Sequence, residues 1–443
     1  MAHEAAHVRP PVQVGQNKSR QSSCLEKTAN SFLLLENGKH TTRVTTAGRT
    51  ARATGKRNYT TRDRRYVSGA WPVRRKEDSM RIAQIAPLYE AVPPHTYGGT
   101  ERIVDGLARE LLRRGHDVTL FASGDSQTPG RLIPCAARGL RLGGGAVHGV
   151  AYTVAQLGKV SRMARDFDLI HSHVDYLAFP CARVIPIPVV TTLHGRLDLP
   201  EVTHVFAEFP EIPVISVSRA QRAPLPGANW VATVYNGIDL NHFTLQERQG
   251  QYLAFLGRMS PEKRPDRAIA IARMVGMPLR MAAKVDPADR AYFAEVIEPL
   301  LSEPLVEYLG EIEEHQKNEF LGNAYAYLFP IDWPEPFGIT MIEAMACGTP
   351  VIAMGHGSVP EVLIDGTTGY ICNTLADMVS AVDRIPRIDR RVCRRHAAEQ
   401  FSIEAMVDGY ETVYGHVLGD VSPVLRPASE RWAQKRLGAT AGA

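Results

Sequence analysis

Two glutamates, Glu335 and Glu343, are separated by seven residues in the stretch DWPEPFGITMIEAMACGTPVIAMGHGSVPEVLIDGTTGYIC, Asp332–Cys372. Between them Pro336-Phe337-Gly338 reads as a loop, and Ile339 opens an apolar helical run. A helix over Phe337–Cys347 would set Glu335 just before its N-terminus and Glu343 about two turns in, ~11–12 Å along the axis. Two carboxylates can share acid and base work. A helix start also offers unpaired N–H groups and a positive dipole end, which suit a polar or anionic ligand.

Cations come from an earlier turn, Gly257-Arg258-Met259-Ser260-Pro261-Glu262-Lys263. Arg258 and Lys263 beside a glycine and a helix start suit a diphosphate. Gly98-Gly99 would let backbone approach a phosphate, and His173 and His194 follow short apolar runs. Each of these features taken singly has a plainer reading: a solvated charge run, a turn, a structural histidine. Their shared position at strand ends makes them candidates together.

The elements that must position these residues alternate along the chain. Arg81–Ala86 reads as a strand, Glu101–Arg114 as a helix with Ile103, Leu107 and Leu111 on one face, and Asp117–Ala122 as a second strand. That is a βαβ unit of a parallel sheet. Strands follow at 168–171, 188–193, 213–218 and 231–235. A second series starts near Gln251, with strands at 252–256, 279–283, 306–310 and 324–330 and helices at 265–274, 291–301 and 376–385. Val351–Ala353 reads as one more buried strand, and Ile403–Leu418 as an amphipathic helix. In such sheets ligands sit beyond the carboxyl ends of the strands, where Gly98, Gly99, His173 and His194 fall. The glycines do not form G-x-G-x-x-G, which disfavours a nicotinamide cofactor.

The 443 residues allow two domains of ordinary size plus tails. Residues 1–79 hold 16 Lys/Arg against 6 Asp/Glu, whereas residues 80–443 hold 35 against 41. The basicity therefore belongs to the leading segment, and the mildly acidic remainder gives no case for nucleic acid. That segment reads as a disordered basic extension ahead of Met80, with a transit peptide or an anionic-surface patch as sharper alternatives. Residues 419–443 read as a second loose tail. Six scattered cysteines without Cys-x-x-Cys argue against a disulfide framework or zinc knuckle and fit a reducing, cytoplasmic setting. No apolar run reaches membrane-spanning length.

The combination of Gly257-Arg258-x-x-Pro261-Glu262-Lys263, Glu335-Pro336-Phe337-Gly338-x4-Glu343-Ala344-x-Ala346-x-Gly348-x-Pro350-Val351 and Gly366-x-x-Gly369 resembles glycosyltransferase family 4. Tyr97-Gly98-Gly99, His194-Gly195 and Tyr235-Asn236-Gly237-Ile238-Asp239 add to it, so the resemblance covers about residues 80–418. It implies an α/β GT-B fold: two Rossmann-like domains facing across a cleft. Residues 80–245, completed by helix 402–418, would form the acceptor side, and residues 246–401 the nucleotide-sugar side. It implies retaining, metal-independent transfer of a hexosyl unit from a nucleotide-diphosphate sugar, a UDP-sugar in the first instance, to an unassigned hydroxyl.

Carried over residue by residue, Arg258 and Lys263 would bind the diphosphate, Glu343 the ribose and Glu335 a sugar hydroxyl. Pro336, Phe337, Gly338 and Ile339 would meet the donor at the helix start. Gly98 and Gly99 would close over the phosphates, His194 would sit near the sugar, and Gly310 and Ile312 would flank the base. Glu335, His194, Arg258 and Lys263 would form the catalytic set. One departure stands out: many members have Gly-x-Gly where this chain has Ala283-Lys284-Val285. Some relatives dock on membranes, so peripheral membrane contact stays open. The alternatives are a nucleotide-sugar 2-epimerase of the same fold and a non-catalytic nucleotide-sugar binding protein.

Overall fold

Runs rich in β-branched residues, such as Val189–Leu193 and Val351–Met354, are buried along their whole length, as strands covered on both faces must be. The computed structural model describes residues 79–95, 98–143 and 149–419. The two expected loose segments, apart from Ser79 and Gly419, and Tyr97 of the glycine motif lie outside them.

The first sheet holds β1 Arg81–Ile85, β2 Asp117–Ser123, β3 Arg131–Ala136, β4 Leu169–Ser172, β5 Val189–Leu193, β6 Val214–Ser216 and β7 Trp230–Thr233. The second holds β8 Tyr252–Arg258, β9 Leu279–Lys284, β10 Val306–Gly310, β11 Ala324–Phe329, β12 Val351–Met354 and β13 Gly369–Cys372. Their orders are β3-β2-β1-β4-β5-β6-β7 and β10-β9-β8-β11-β12-β13, and all the pairings are parallel. Each sheet reverses its direction of winding once, at β1/β4 and at β8/β11. Such reversals open crevices at the carboxyl ends of strands. These are two Rossmann-like halves of one α/β GT-B architecture.

The helix Ile403–Val417 follows the second sheet in the chain but packs on the first. Met406, Val407, Tyr410, Val413 and Tyr414 share a core with Ile82, Leu107, Leu169 and Val190. Ser402 caps its first turn by accepting from the Ala405 N–H at 3.2 Å.

The helix expected over Phe337–Cys347 is shorter, Ile339–Ala346. Gly338 is its N-cap, with φ 79° and ψ 63°, a left-handed conformation that ends the preceding loop and excludes Phe337 from the helix. Glu343 is therefore little more than one turn in, and the expected two-turn rise from Glu335 does not apply. The helix expected over 291–301 is broken into Arg290–Tyr292, a π-turn at Phe293–Ile297 and a 3₁₀ segment at Glu298–Ser302. Pro299 has no N–H to continue it. β3 and the helix Gly149–Met163 had no clear sequence signal. No helix among the described residues is long and apolar enough to cross a membrane.

Candidate active site

Between the sheets lies a cavity of about 470 Å³, lined from both sides. From the first sheet come Gly98, Gly99, Glu101, Arg102, His173, Asp175 and His194. The second contributes Arg258, Lys263, Lys284, Ile312, Lys317, Glu335, Pro336, Phe337, Gly338, Ile339 and Glu343. Every residue nominated from sequence thus lines one space except Gly310. Gly310 ends β10 at φ 72°, and its neighbours Glu311 and Ile312 reach the cavity instead.

The two sides come close at the helix start. A Cβ added to Gly99 would lie 3.4 Å from Ile339 Cδ1, so the glycine loop ends in contact range of the first residue of helix Ile339–Ala346. A few residues on, Arg102 reaches across to Glu314 at 2.8 Å and to Glu343 at 3.7 Å.

Lys263 and Glu335 form an ion pair at the end of the cavity nearest Trp333. The indole Nε1–H of Trp333 donates to Glu335 Oε2 at 2.9 Å, and the Lys263 ammonium lies 4.9 Å from the Trp333 ring centre. The carboxylate is thereby fixed by two donors and the cation by an aromatic face. Behind this loop, Ser358 donates from its backbone N–H to Glu335 O at 3.0 Å and from its hydroxyl to Phe337 O at 2.7 Å. Gly357 fits only because it lacks a side chain: a Cβ there would collide with the Glu335 backbone N and O. Arg258 pairs with Glu262 and stands 3.5 Å from Asp289, so its guanidinium is held at the mouth of β8.

Glu343 is buried at 1% exposure. Lys317 Nζ donates to its Oε1 at 2.7 Å. Sequence reading missed Lys317, because a lysine in the polar segment Glu314–Gly322 looks like a solvated face. It is 5% exposed. Gly357 was missed for a similar reason, since only its contact with Glu335 marks it.

On the first side, His194 is half-buried with its backbone N–H donating to Asp175 Oδ1 at 3.0 Å. Asp175 takes φ 48°, a left-handed conformation that aspartate adopts more readily than most non-glycine residues. Burial lowers the His194 pKa to about 4, so the ring is neutral at ordinary pH. Burial also raises the Asp175 carboxyl, opposed by hydrogen bonds from the His194 and Gly195 backbones. Glu101, at the first turn of helix Gly99–Arg113, is 6% exposed. Its burial pushes the carboxyl up to about 7. Chemically, the cavity offers cations, a helix start, hydroxyl acceptors and a neutral imidazole in one enclosure.

Known proteins resemble this chain in sequence and in fold. Residues 97–242 match the model described as Glycosyltransferase Family 4, and residues 239–391 match Glycosyl transferases group 1. A D-inositol 3-phosphate glycosyltransferase of Mycolicibacterium smegmatis is 26% identical over 404 residues, covering 76% of this chain and 92% of that protein. Among solved structures, a sucrose-phosphate synthase of Thermosynechococcus elongatus superposes with a TM-score of 0.64 at 20% identity, covering 77% of this chain and 100% of that one. The Anabaena protein Alr3699/HepE, solved with UDP and glucose, gives 0.59 at 17% identity, covering 76% and 100%. Two Rossmann-like sheets, one cleft between them and tandem matches across both sides make this chain a GT-B glycosyltransferase belonging to glycosyltransferase family 4.

Proposed function

We propose that the chain transfers a hexosyl unit, with retention of anomeric configuration, from a nucleotide-diphosphate sugar to a hydroxyl of an acceptor held on the first-sheet side. The observation that carries this reading is the convergence of Arg258, Lys263 and the start of helix Ile339–Ala346 on one cavity. Breaking a glycosyl–phosphate bond leaves negative charge on the diphosphate and positive charge on the sugar ring. Preorganised cations and N–H groups stabilise the former without reorganising during the reaction, and they supply the positive charge that a divalent metal provides elsewhere.

Glu343 then accepts from the ribose hydroxyls and Glu335 from a sugar hydroxyl. UDP is the favoured carrier, and the UDP and glucose bound by Alr3699/HepE are consistent with that choice. In the proposed route the acceptor hydroxyl attacks from the face that the phosphate leaves, and the departing phosphate oxygen takes its proton.

The test is nucleotide release from UDP-, GDP- and ADP-sugars, with Arg258→Ala and Glu343→Ala as controls. Release from one carrier, lost in both variants, is expected. No binding or turnover of any nucleotide sugar would sink the reading.

A further inference from the structure

A buried polar chain runs from the cleft to the last helix. His194 Nε2 lies 2.9 Å from His173 Nδ1, and His173 Nε2 lies 2.7 Å from Gln84 Oε1. Gln84 Nε2 donates to the Tyr414 hydroxyl at 3.2 Å, which meets His171 Nδ1 at 2.8 Å. His171 Nε2 meets Thr192 Oγ1 at 2.7 Å, and that hydroxyl reaches the Tyr410 hydroxyl at 3.2 Å. Apart from His194, all of these groups are buried, none exceeding the 1% exposure of His173. The chain meets the cavity at one end only, through His194 and its neighbour His173.

An amide has a donor end and an acceptor end, so Gln84 gives the chain a direction. With Oε1 on His173, that ring carries its proton on Nε2 and offers Nδ1 as an acceptor. His194 must then donate from Nε2. A neutral imidazole holds one proton, so His194 Nδ1 is left as a bare acceptor. Burial keeps His194 neutral and drives His171 and His173 well below the usual histidine range, which excludes a doubly protonated ring anywhere in the chain.

We propose that Tyr414 is a positioning residue for donor binding: through Gln84 and His173 it holds His194 as the Nε2–H tautomer, whose Nδ1 accepts a hydrogen bond from a hydroxyl of the transferred sugar. This rests on the reading of the protein as a nucleotide-sugar transferase. A chain serving packing alone would end on another buried protein group. This one ends in the cleft, at the residue between the Asp175 contact and the cavity. The helix Ile403–Val417 thus sets a hydrogen-bond polarity inside the site as well as covering the first sheet.

The test reads the histidine ring nitrogens of the full chain by ¹⁵N NMR and measures donor kinetics in Tyr414→Phe and Tyr410→Phe. The native protein should show His194 protonated on Nε2. Tyr414→Phe should mix the tautomers and raise the donor KM about three- to tenfold, the range of one hydrogen bond, with kcat little changed. Tyr410→Phe removes the same group from the same helix but lies beyond Tyr414 in the chain, and should leave the His194 signals and KM unchanged. His194 protonated on Nδ1 in the native protein would overturn the proposal. So would equal KM changes in the two variants. If Tyr414→Phe does not fold, Gln84→Leu carries the same comparison. If no nucleotide sugar binds, the transferase reading fails while the spectra still decide the tautomer.

Discussion

Lys317 Nζ lies 2.7 Å from Glu343 Oε1, while the other oxygen of that carboxylate, Oε2, is buried with no hydrogen-bond partner among the described residues. Lys317 therefore orients the Glu343 carboxylate, and a lone pair is left for a ligand hydroxyl. Removing Lys317 leaves the buried carboxylate with only the longer Arg102 contact at 3.7 Å. Lys317→Met should cost about 3–5 kcal/mol of stability in urea unfolding. The double variant Lys317→Met/Glu343→Leu should recover part of that loss without recovering nucleotide binding. A single variant as stable as the native protein would show that the pair does not hold the carboxylate.

Glu335 is fixed by Lys263 and Trp333, an arrangement that orients a carboxylate rather than preparing it to exchange protons. Glu335→Gln keeps the shape and loses the charge. It should lower turnover by about tenfold to a hundredfold, the worth of one charge-assisted hydrogen bond, and leave both limbs of the pH–rate profile in place. Loss of one limb would restore the acid/base reading of the two glutamates.

Gly357 and Gly366 both have positive φ, 57° and 68°, but only Gly357 has a neighbour in the way. Gly366→Ala should cost about 1 kcal/mol through backbone strain and leave turnover unchanged. Gly357→Ala meets the Glu335 backbone as well, so it should displace the 335–337 loop. Turnover should fall in this variant by more than its stability loss explains, as comparison of kcat with urea midpoints will reveal.

Glu101 contributes a pH dependence whose sign is set by its raised pKa. The folded state holds its proton up to about 7, whereas the free side chain releases it near 4.5. Between those values the folded state binds more protons, so this contribution favours folding at low pH and is lost as pH rises through 7. His194 acts oppositely: its pKa falls from 6.5 to about 4, so its contribution is present above 6.5 and is lost as pH falls toward 4. Glu101→Gln removes the first contribution alone. The variant should gain on the native protein by about 3 kcal/mol between pH 5 and pH 8, because a tenfold change in proton affinity is worth about 1.36 kcal/mol. A constant difference across that range would contradict the burial assigned to Glu101.

Much of the second-sheet site was legible because its chemistry is local. Glycine, proline and charge sit within a few residues of each other at Gly257–Lys263 and Glu335–Glu343, and each turn's function depends on that spacing. The helix start was misplaced by two residues because Phe337 and Cys347 extend the apolar pattern, while the left-handed Gly338 interrupts it. What escaped has no local signature. Lys317 pairs with Glu314 nearby, as a solvated lysine would, but is buried against Glu343, 26 residues on, and Gln84 looks like one polar residue in an apolar strand until Tyr414, 330 residues away, is placed beside it.

In the proposed complex a single donor spans Arg258 and Lys263 at its diphosphate and Glu343 at its ribose. Calorimetric titration of UDP into the native chain and into Arg258→Ala and Glu343→Ala measures this most directly. Saturable binding is predicted in the native protein, weakened by about tenfold to a hundredfold in each variant, as loss of one charged hydrogen-bonding group implies. Absence of UDP binding, or equal affinity in all three proteins, would contradict the placement of the donor.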